Sequence, residues 1–113
     1  MSTRKFLLVQ RGAAREGDPP SPAQMQAMYA AFTAWKAKFA DRIVDLGGKL
    51  SAGGKVLSTS GVTDGPLVEA KEIIGGFMIV AADDYEGAVE VARECPGLIG
   101  PGSRCEIREL QGA

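Results

Sequence analysis

The sequence predicts an α+β domain of the split βαβ type, in which two helices cover one face of an antiparallel sheet. Two short segments, residues 6–9 and 77–80, are apolar at every position, which is typical of strands that are covered on both faces. A capped helical pattern follows each of these segments further along the chain. A chain of 113 residues is long enough to bury a core without a disulfide or a metal. We therefore treat residues 1–113 as a single domain.

The opening elements are a strand and a long helix. Residues 5–10 predict the first strand, and residues 12–20 a polar loop. Ser21 is a good N-cap, and Pro22 stands at the first helical position, where a missing N–H costs nothing. The spacing predicts that the helix continues to Gly47. Its apolar stripe consists of Met25, Met28, Tyr29, Phe32, Trp35, Phe39, Ile43 and Leu46. We expect this stripe in the core; the alternative is that Tyr29 or Trp35 lines a pocket.

The middle of the chain is rich in glycine and predicts short strands. Residues 49–52 and 55–58 are typical of strand pieces interrupted by two glycines. Residues 63–66, Thr-Asp-Gly-Pro, predict a tight turn. Residues 67–73 are expected to form a short edge strand.

The last third predicts a strand, a helix and a strand. Residues 75–82 indicate a central strand, and Asp83 or Asp84 caps a helix that runs to about Glu94. Residues 104–110 alternate charged and apolar side chains, as a strand with one solvated face does. The inner stripe of the second helix is predicted to be Tyr85, Ala88, Val89, Ala92 and Cys95.

Both helices are predicted to cover the same face of the sheet. The other face would expose about half of the apolar side chains of residues 6–9 and 77–80. Monomers rarely expose such a patch, so we expect a homodimer in which two sheets meet face to face.

Composition excludes several classes of function. The net charge is −1 and there is no histidine. A near-neutral chain offers no electrostatic footprint for nucleic acid or an anionic membrane, so neither partner is expected. Without histidine, the chain cannot build a Ser-His-Asp nucleophile or an imidazole zinc site. The glycines match neither a P-loop nor a dinucleotide fingerprint, and we expect no cofactor and no metal.

Cys95 and Cys105 are too few for a disulfide scaffold. We interpret them as reduced thiols, and the chain has no signal-peptide or membrane-spanning pattern, so we expect a cytoplasmic protein. Cys95 lies at a helix end without a group that lowers its pKa. Buried packing is therefore favoured over catalysis for this thiol.

The turn that contains Asp64, Gly65 and Pro66 is the best candidate site. One interpretation is a purely structural turn. The other is a rigidly presented carboxylate that acts as a base or binds a ligand. Glu69 and Lys71 follow on one face of the predicted strand, where they could contact a small polar molecule or form a solvated edge.

These residues carry a resemblance to a known family. Residues 63–72 read TDGPLVEAKE, followed by GGF at 75–77, DD at 83–84 and CP at 95–96. The pattern resembles the YCII-related superfamily and, within it, the DGPF-domain branch, whose signature reads T-D-G-P-F-x-E-x-K-E-x-x-G-G-[FY]. Leu67 stands where the signature has Phe, and the loop before Thr63 is shorter than is usual in the branch.

The resemblance implies a ferredoxin-like fold that dimerises into an α/β barrel. It also implies kinship with small enzymes that process aromatic compounds, among them a dehydrochlorinase of chlorinated hydroxyquinols, for which a His-Asp pair is suggested as acid and base. The Asp of that pair falls on Asp64, and the position of the His falls on Gln24. Glutamine cannot exchange a proton at neutral pH. The DGPF branch is also associated with extracytoplasmic-function sigma factors.

The leading hypothesis is a homodimer that binds a small anionic or aromatic molecule beside Asp64, Gly65 and Pro66. Gln24, Glu69 and Lys71 would supply polar contacts. One alternative is a lyase or isomerase in which Asp64 is the general base and Lys71 stabilises an oxyanion. Another is an accessory protein of a sigma-factor-linked stress response.

Overall fold

The computed structural model of the chain describes residues 3–12, 20–51, 53–65, 73–100 and 102–112. Six strands and two helices lie within these ranges. In chain order they are β1 (Arg4–Gly12), α1 (Pro22–Lys38), β2 (Ile43–Lys49), β3 (Gly54–Ser58), β4 (Gly61–Gly65), β5 (Ile73–Ala82), α2 (Tyr85–Glu94) and β6 (Ser103–Glu109).

The main sheet has four strands in the order β2-β5-β1-β6, and each neighbouring pair is antiparallel. Strands β3 and β4 form a separate two-stranded sheet. A strand order with α1 after the first strand and α2 before the last is that of a ferredoxin-like α+β fold. The predicted α+β class, with an antiparallel sheet and two helices, is confirmed.

One face of the main sheet carries the core. Phe6 lies opposite Val80, and Leu8 lies opposite Met78; these four side chains are buried. Both helices pack on this face and contribute the buried residues Trp35, Phe39, Ala88, Val91 and Ala92. Side chains alternate along a strand, so Leu7, Val9, Phe77 and Ile79 point to the opposite face, which we call the outer face.

The two helices are joined by one buried hydrogen bond. The indole Nε1 of Trp35 donates to the carbonyl oxygen of Val91 at 3.0 Å. The last carbonyl groups of a helix have no partner inside the helix. At the end of α2, the N–H of Cys95 donates to the carbonyl of Ala92 and not to that of Val91, four residues earlier. The indole of Trp35 therefore supplies a hydrogen bond to the carbonyl of Val91.

The predicted helix caps are confirmed. The side chain of Ser21 accepts a hydrogen bond from the backbone N–H of Gln24, with Pro22 at the start of the helix. Asp84 caps α2, where its carboxylate accepts from the N–H of Gly87 at 2.9 Å. Short polar side chains at such positions satisfy N–H groups that the helix leaves open.

The predicted extent of the first helix was wrong. Helix α1 ends at Lys38, where the N–H groups of Arg42 and Ile43 both donate to the carbonyl of Phe39. Ile43 then begins β2, which also contains Leu46. The β-branched Ile43 favours a strand, and pairing of β2 with β5 provides hydrogen-bond partners for its backbone. The apolar residues Ile43 and Leu46 continue the helical spacing of three and four, but they lie in a strand.

Burial of the α1 stripe is also limited to its second half. Trp35 and Phe39 are buried, whereas Met25, Met28 and Tyr29 are 58%, 44% and 73% exposed. The first half of the helix therefore does not contribute to the core.

The inner stripe of α2 differs from the prediction at two positions. Ala88, Ala92 and Cys95 are buried as predicted, but Tyr85 is 47% exposed. Val91 is buried in place of the predicted Val89, which lines a depression on the outward face of the helix. Residues three and four apart share a helix face, and this face passes through Val91. The ring of Tyr85 instead packs edge-on against Phe6 with centroids 4.9 Å apart.

The glycine-rich middle forms a hairpin. The predicted strand at residues 55–58 is confirmed as part of β3, whereas the one at 49–52 overlaps β2 only at Lys49. The turn of the hairpin is at residues 59–60. Residues 63–66 were predicted as a turn, but residues 63–65 belong to strand β4 and Pro66 lies outside the described residues. Cross-strand pairing with β3 outweighs its local turn preference.

The remaining strands match their predictions closely. Strands β1, β5 and β6 contain the predicted residues to within one or two positions, and Cys105 and Ile107 of β6 pack against the core as expected. The predicted edge strand at residues 67–73 lies outside the described residues, except Ile73.

Candidate functional site

Asp64 lies in β4 and faces Lys55 of β3 directly across the hairpin. The carboxylate Oδ1 and the ammonium Nζ are 2.5 Å apart, and the two side chains are 87% and 70% exposed. The structure thus presents the predicted carboxylate on a regular strand, with an opposite charge beside it. Charged partners opposite each other stabilise a hairpin modestly.

Gly65 closes β4 opposite Gly54. A Cβ atom at Gly65 would lie 3.2 Å from Cγ2 of Val56. The close approach of the two strands favours glycine here, so Gly65 has a structural reason to be present. Pro66, Glu69 and Lys71, the other predicted site residues of this segment, lie outside the described residues.

Gln24 is part of the N-terminal cap of α1. Its Oε1 accepts a hydrogen bond from the N–H of Ser21 at 2.8 Å, and its own N–H donates to Ser21 Oγ at 3.2 Å. This reciprocal pair is a capping box. The side-chain amide Nε2 takes no part in it and is a donor that a ligand could use.

The structure therefore gives the two predicted residues separate partners: Gln24 bonds to Ser21, and Asp64 pairs with Lys55. Lys55 was missed by the sequence analysis. The sequence does contain a signal for this pair: Lys55 and Leu57 are two residues apart, as are Val62 and Asp64. Pairing Lys55 with Asp64 from this signal requires the register of the hairpin.

Both cysteines are free thiols; Cys95 is buried in the core, and Cys105 is partly buried against it. Burial, with a smaller contribution from the neighbouring Cys105, raises the pKa of Cys95 from 9.0 to about 11. Burial also raises the pKa of Cys105. Thiolates are the nucleophilic form of cysteine, so burial disfavours a nucleophilic role for both side chains. The expectation that Cys95 is a packing residue is confirmed by its burial.

Two surface depressions lie elsewhere in the fold. One, of about 380 Å³, is lined by the outward face of α2, including Tyr85 and Val89. The other, of about 290 Å³, lies at one end of the sheet and includes Arg42 and Asp84. Neither contains Gln24, Asp64 or Gly65.

Among the described residues there is no group of three or more His, Cys, Asp or Glu side chains that could hold a metal ion. Nor does either described helix have the length and apolar character needed to span a membrane.

Comparison with known proteins identifies the family. No curated protein matches the chain. The family model for the YCII-related domain matches residues 13–110, a segment that contains Gln24, the whole β3–β4 hairpin and both helices. This match covers most of the 113 residues, so the chain belongs to the YCII-related family.

Proposed function

We propose that this protein is a cytoplasmic homodimer that binds a small anionic or aromatic molecule beside the β3–β4 hairpin. In the dimer the two sheets meet through their outer faces and form an α/β barrel.

The outer face is the observation that carries the dimer. Leu7 lies opposite Ile79, and Val9 lies opposite Phe77, so four apolar side chains form a contiguous patch at the centre of the sheet. Phe77 is 38% exposed. Both helices cover the other face, and a second copy would remove this patch from water.

The total surface of the chain supports association. Its accessible surface is 8383 Å². A compact monomer of 11.8 kDa exposes about 5,900 Å². The excess of about 2,500 Å² per chain, or about 5,000 Å² for two chains, is at the upper end of the total area that obligate dimers bury.

The hairpin supports a polar ligand site. Lys55 can attract an anion, and Asp64 can accept a hydrogen bond from a hydroxyl group. The Nε2 of Gln24, which takes no part in the capping box, supplies a further donor. We keep Gly65, Pro66, Glu69 and Lys71 in the proposed site as the residues that continue the chain from Asp64.

Binding is favoured over catalysis. A general base needs a free carboxylate within reach of the proton that it removes. The carboxylate of Asp64 is already paired with the ammonium of Lys55. The residue in the place of the suggested histidine is Gln24, whose amide caps α1. The alternative, a lyase or isomerase with Asp64 as base and Lys71 as oxyanion stabiliser, requires Asp64 to leave Lys55.

Native mass spectrometry of freshly purified protein tests this proposal. We expect a species of twice the chain mass that carries a small molecule, which is released on denaturation and can be identified from its mass. The Asp64→Asn variant should remain dimeric and carry less of the molecule. A ligand-free monomer in the wild type would refute both parts of the proposal.

A further inference from the structure

The β3–β4 hairpin exposes an apolar pair that nothing in the described part of the chain covers. Leu57 lies opposite Val62, and the two residues are 78% and 61% exposed. The hairpin strands pair only with each other among the described residues. An isolated two-stranded hairpin is at best marginally stable in water, so this one needs a surface to pack against.

A matching surface lies on the first half of α1. No charged residue occurs from Pro22 to Trp35. Met25, Met28 and Tyr29 share one face of the helix and are exposed. An uncharged helix surface of this kind can accept an apolar hairpin without burying an unpaired charge.

We propose that the hairpin is an intermolecular arm, in which Leu57 and Val62 of one copy pack against the Met25–Tyr29 segment of α1 in the second copy. This inference rests on the proposed homodimer. Two-fold symmetry makes the contact twice, so each copy gives one arm and receives one.

Surface area argues for a second copy as the occupant. The accessible surface of 8383 Å² exceeds that of a compact monomer by about 2,500 Å². The outer face supplies four apolar side chains, of which three are already half-buried, and cannot account for this excess alone. The arm and the bare half of α1 are further apolar surfaces that dimerisation would cover.

The arm contact would also complete the proposed ligand site. Lys55, Leu57, Val62 and Asp64 share one face of the hairpin, because residues two apart in a strand point the same way. Two strand residues span about 7 Å, and the four helical residues from Gln24 to Met28 span about 6 Å. If Leu57 and Val62 pack on Met28 of the second copy, Asp64 and Lys55 can therefore lie beside the partner's Gln24. The site would then combine residues of both copies.

Disulfide trapping tests the arm. In a background with Cys95→Ala and Cys105→Ala, the pair Leu57→Cys and Met28→Cys is oxidised with diamide, which accepts the two electrons and two protons of the thiols. We expect a covalent dimer in severalfold greater yield than for the control pair Leu57→Cys and Glu86→Cys, because Glu86 lies on α2. Light scattering of the same variants before oxidation reports the oligomeric state.

The outcomes separate the two proposals. A monomeric mass overturns both the dimer and the arm. A dimeric mass with no enrichment of the trapped species, or with a disulfide formed inside one chain, overturns the arm alone.

A second variant avoids the cysteine-free background. Leu57→Arg in the otherwise native chain should raise the dimer dissociation constant about tenfold or more. The matched control is Ser60→Arg in the turn of the same hairpin, which should leave the constant unchanged. Equal constants for the two variants contradict the arm.

Discussion

The carboxylate of Asp64 and the ammonium of Lys55 lie 2.5 Å apart on neighbouring strands of an exposed hairpin. Each charge is therefore neutralised by the other while both remain accessible to a ligand. This arrangement suits recognition of a polar molecule better than proton transfer, since a base that is already paired must first lose its partner.

Replacing either member of this pair separates binding from catalysis. Asp64→Asn and Lys55→Gln should each change the free energy of unfolding by less than about 1 kcal/mol, since exposed ion pairs contribute little. Both should weaken retention of the co-purified molecule, measured by native mass spectrometry. A loss of turnover in Asp64→Asn alone, with ligand retention unchanged in both, would support the enzyme instead.

Trp35→Phe should destabilise the fold. The substitution removes the donor to the carbonyl oxygen of Val91 and leaves that group without its indole partner in the core, which costs about 1–3 kcal/mol. Urea denaturation measures the difference. Tyr29→Phe, at a position that is 73% exposed, is the control and should change stability by less than about 0.5 kcal/mol.

Two adjacent glycines in β2 should respond differently to alanine. Gly47 has φ +60°, and a Cβ there would meet the carbonyl oxygen of Phe77 at a distance of only 2.0 Å. Gly47→Ala should therefore cost at least about 2 kcal/mol. A Cβ at Gly48 meets nothing within 4 Å, so Gly48→Ala should be nearly neutral. Similar unfolding midpoints for the two variants would contradict the β2 geometry.

The buried thiol predicts a loss of stability in alkali. Burial and then the neighbouring Cys105 raise the pKa of Cys95 from 9.0 to about 11, so the unfolded chain releases this proton before the folded chain does. The stabilising contribution is complete below pH 9.0 and declines as the pH rises towards about 11. Urea denaturation across this window should show a steeper decline for the wild type than for Cys95→Ala. Parallel curves would show that Cys95 has no raised pKa.

Features set by local chemistry were predictable from the sequence. The caps at Ser21 and Asp84 depend on one side chain and its nearest N–H groups. Strands β1 and β5 are apolar because they lie at the centre of the sheet, and their apolar composition alone was enough to predict them as strands. These features were sufficient to predict the fold class.

Features set by tertiary contacts were not predictable. The apolar spacing through Ile43 does not indicate where α1 stops, because that depends on pairing of β2 with β5. The exposure of Tyr29 depends on how far α1 reaches over the core. The Asp64–Lys55 pair depends on the hairpin register, which the turn preference of residues 63–66 obscured.

The mass of the protein in solution tests the central claim most directly. Light scattering at micromolar concentration should give twice the chain mass of 11.8 kDa. Phe77→Arg on the outer face should shift this mass to that of one chain, while Val89→Arg on α2 should leave it unchanged. A wild-type mass of a single chain at these concentrations would contradict the account.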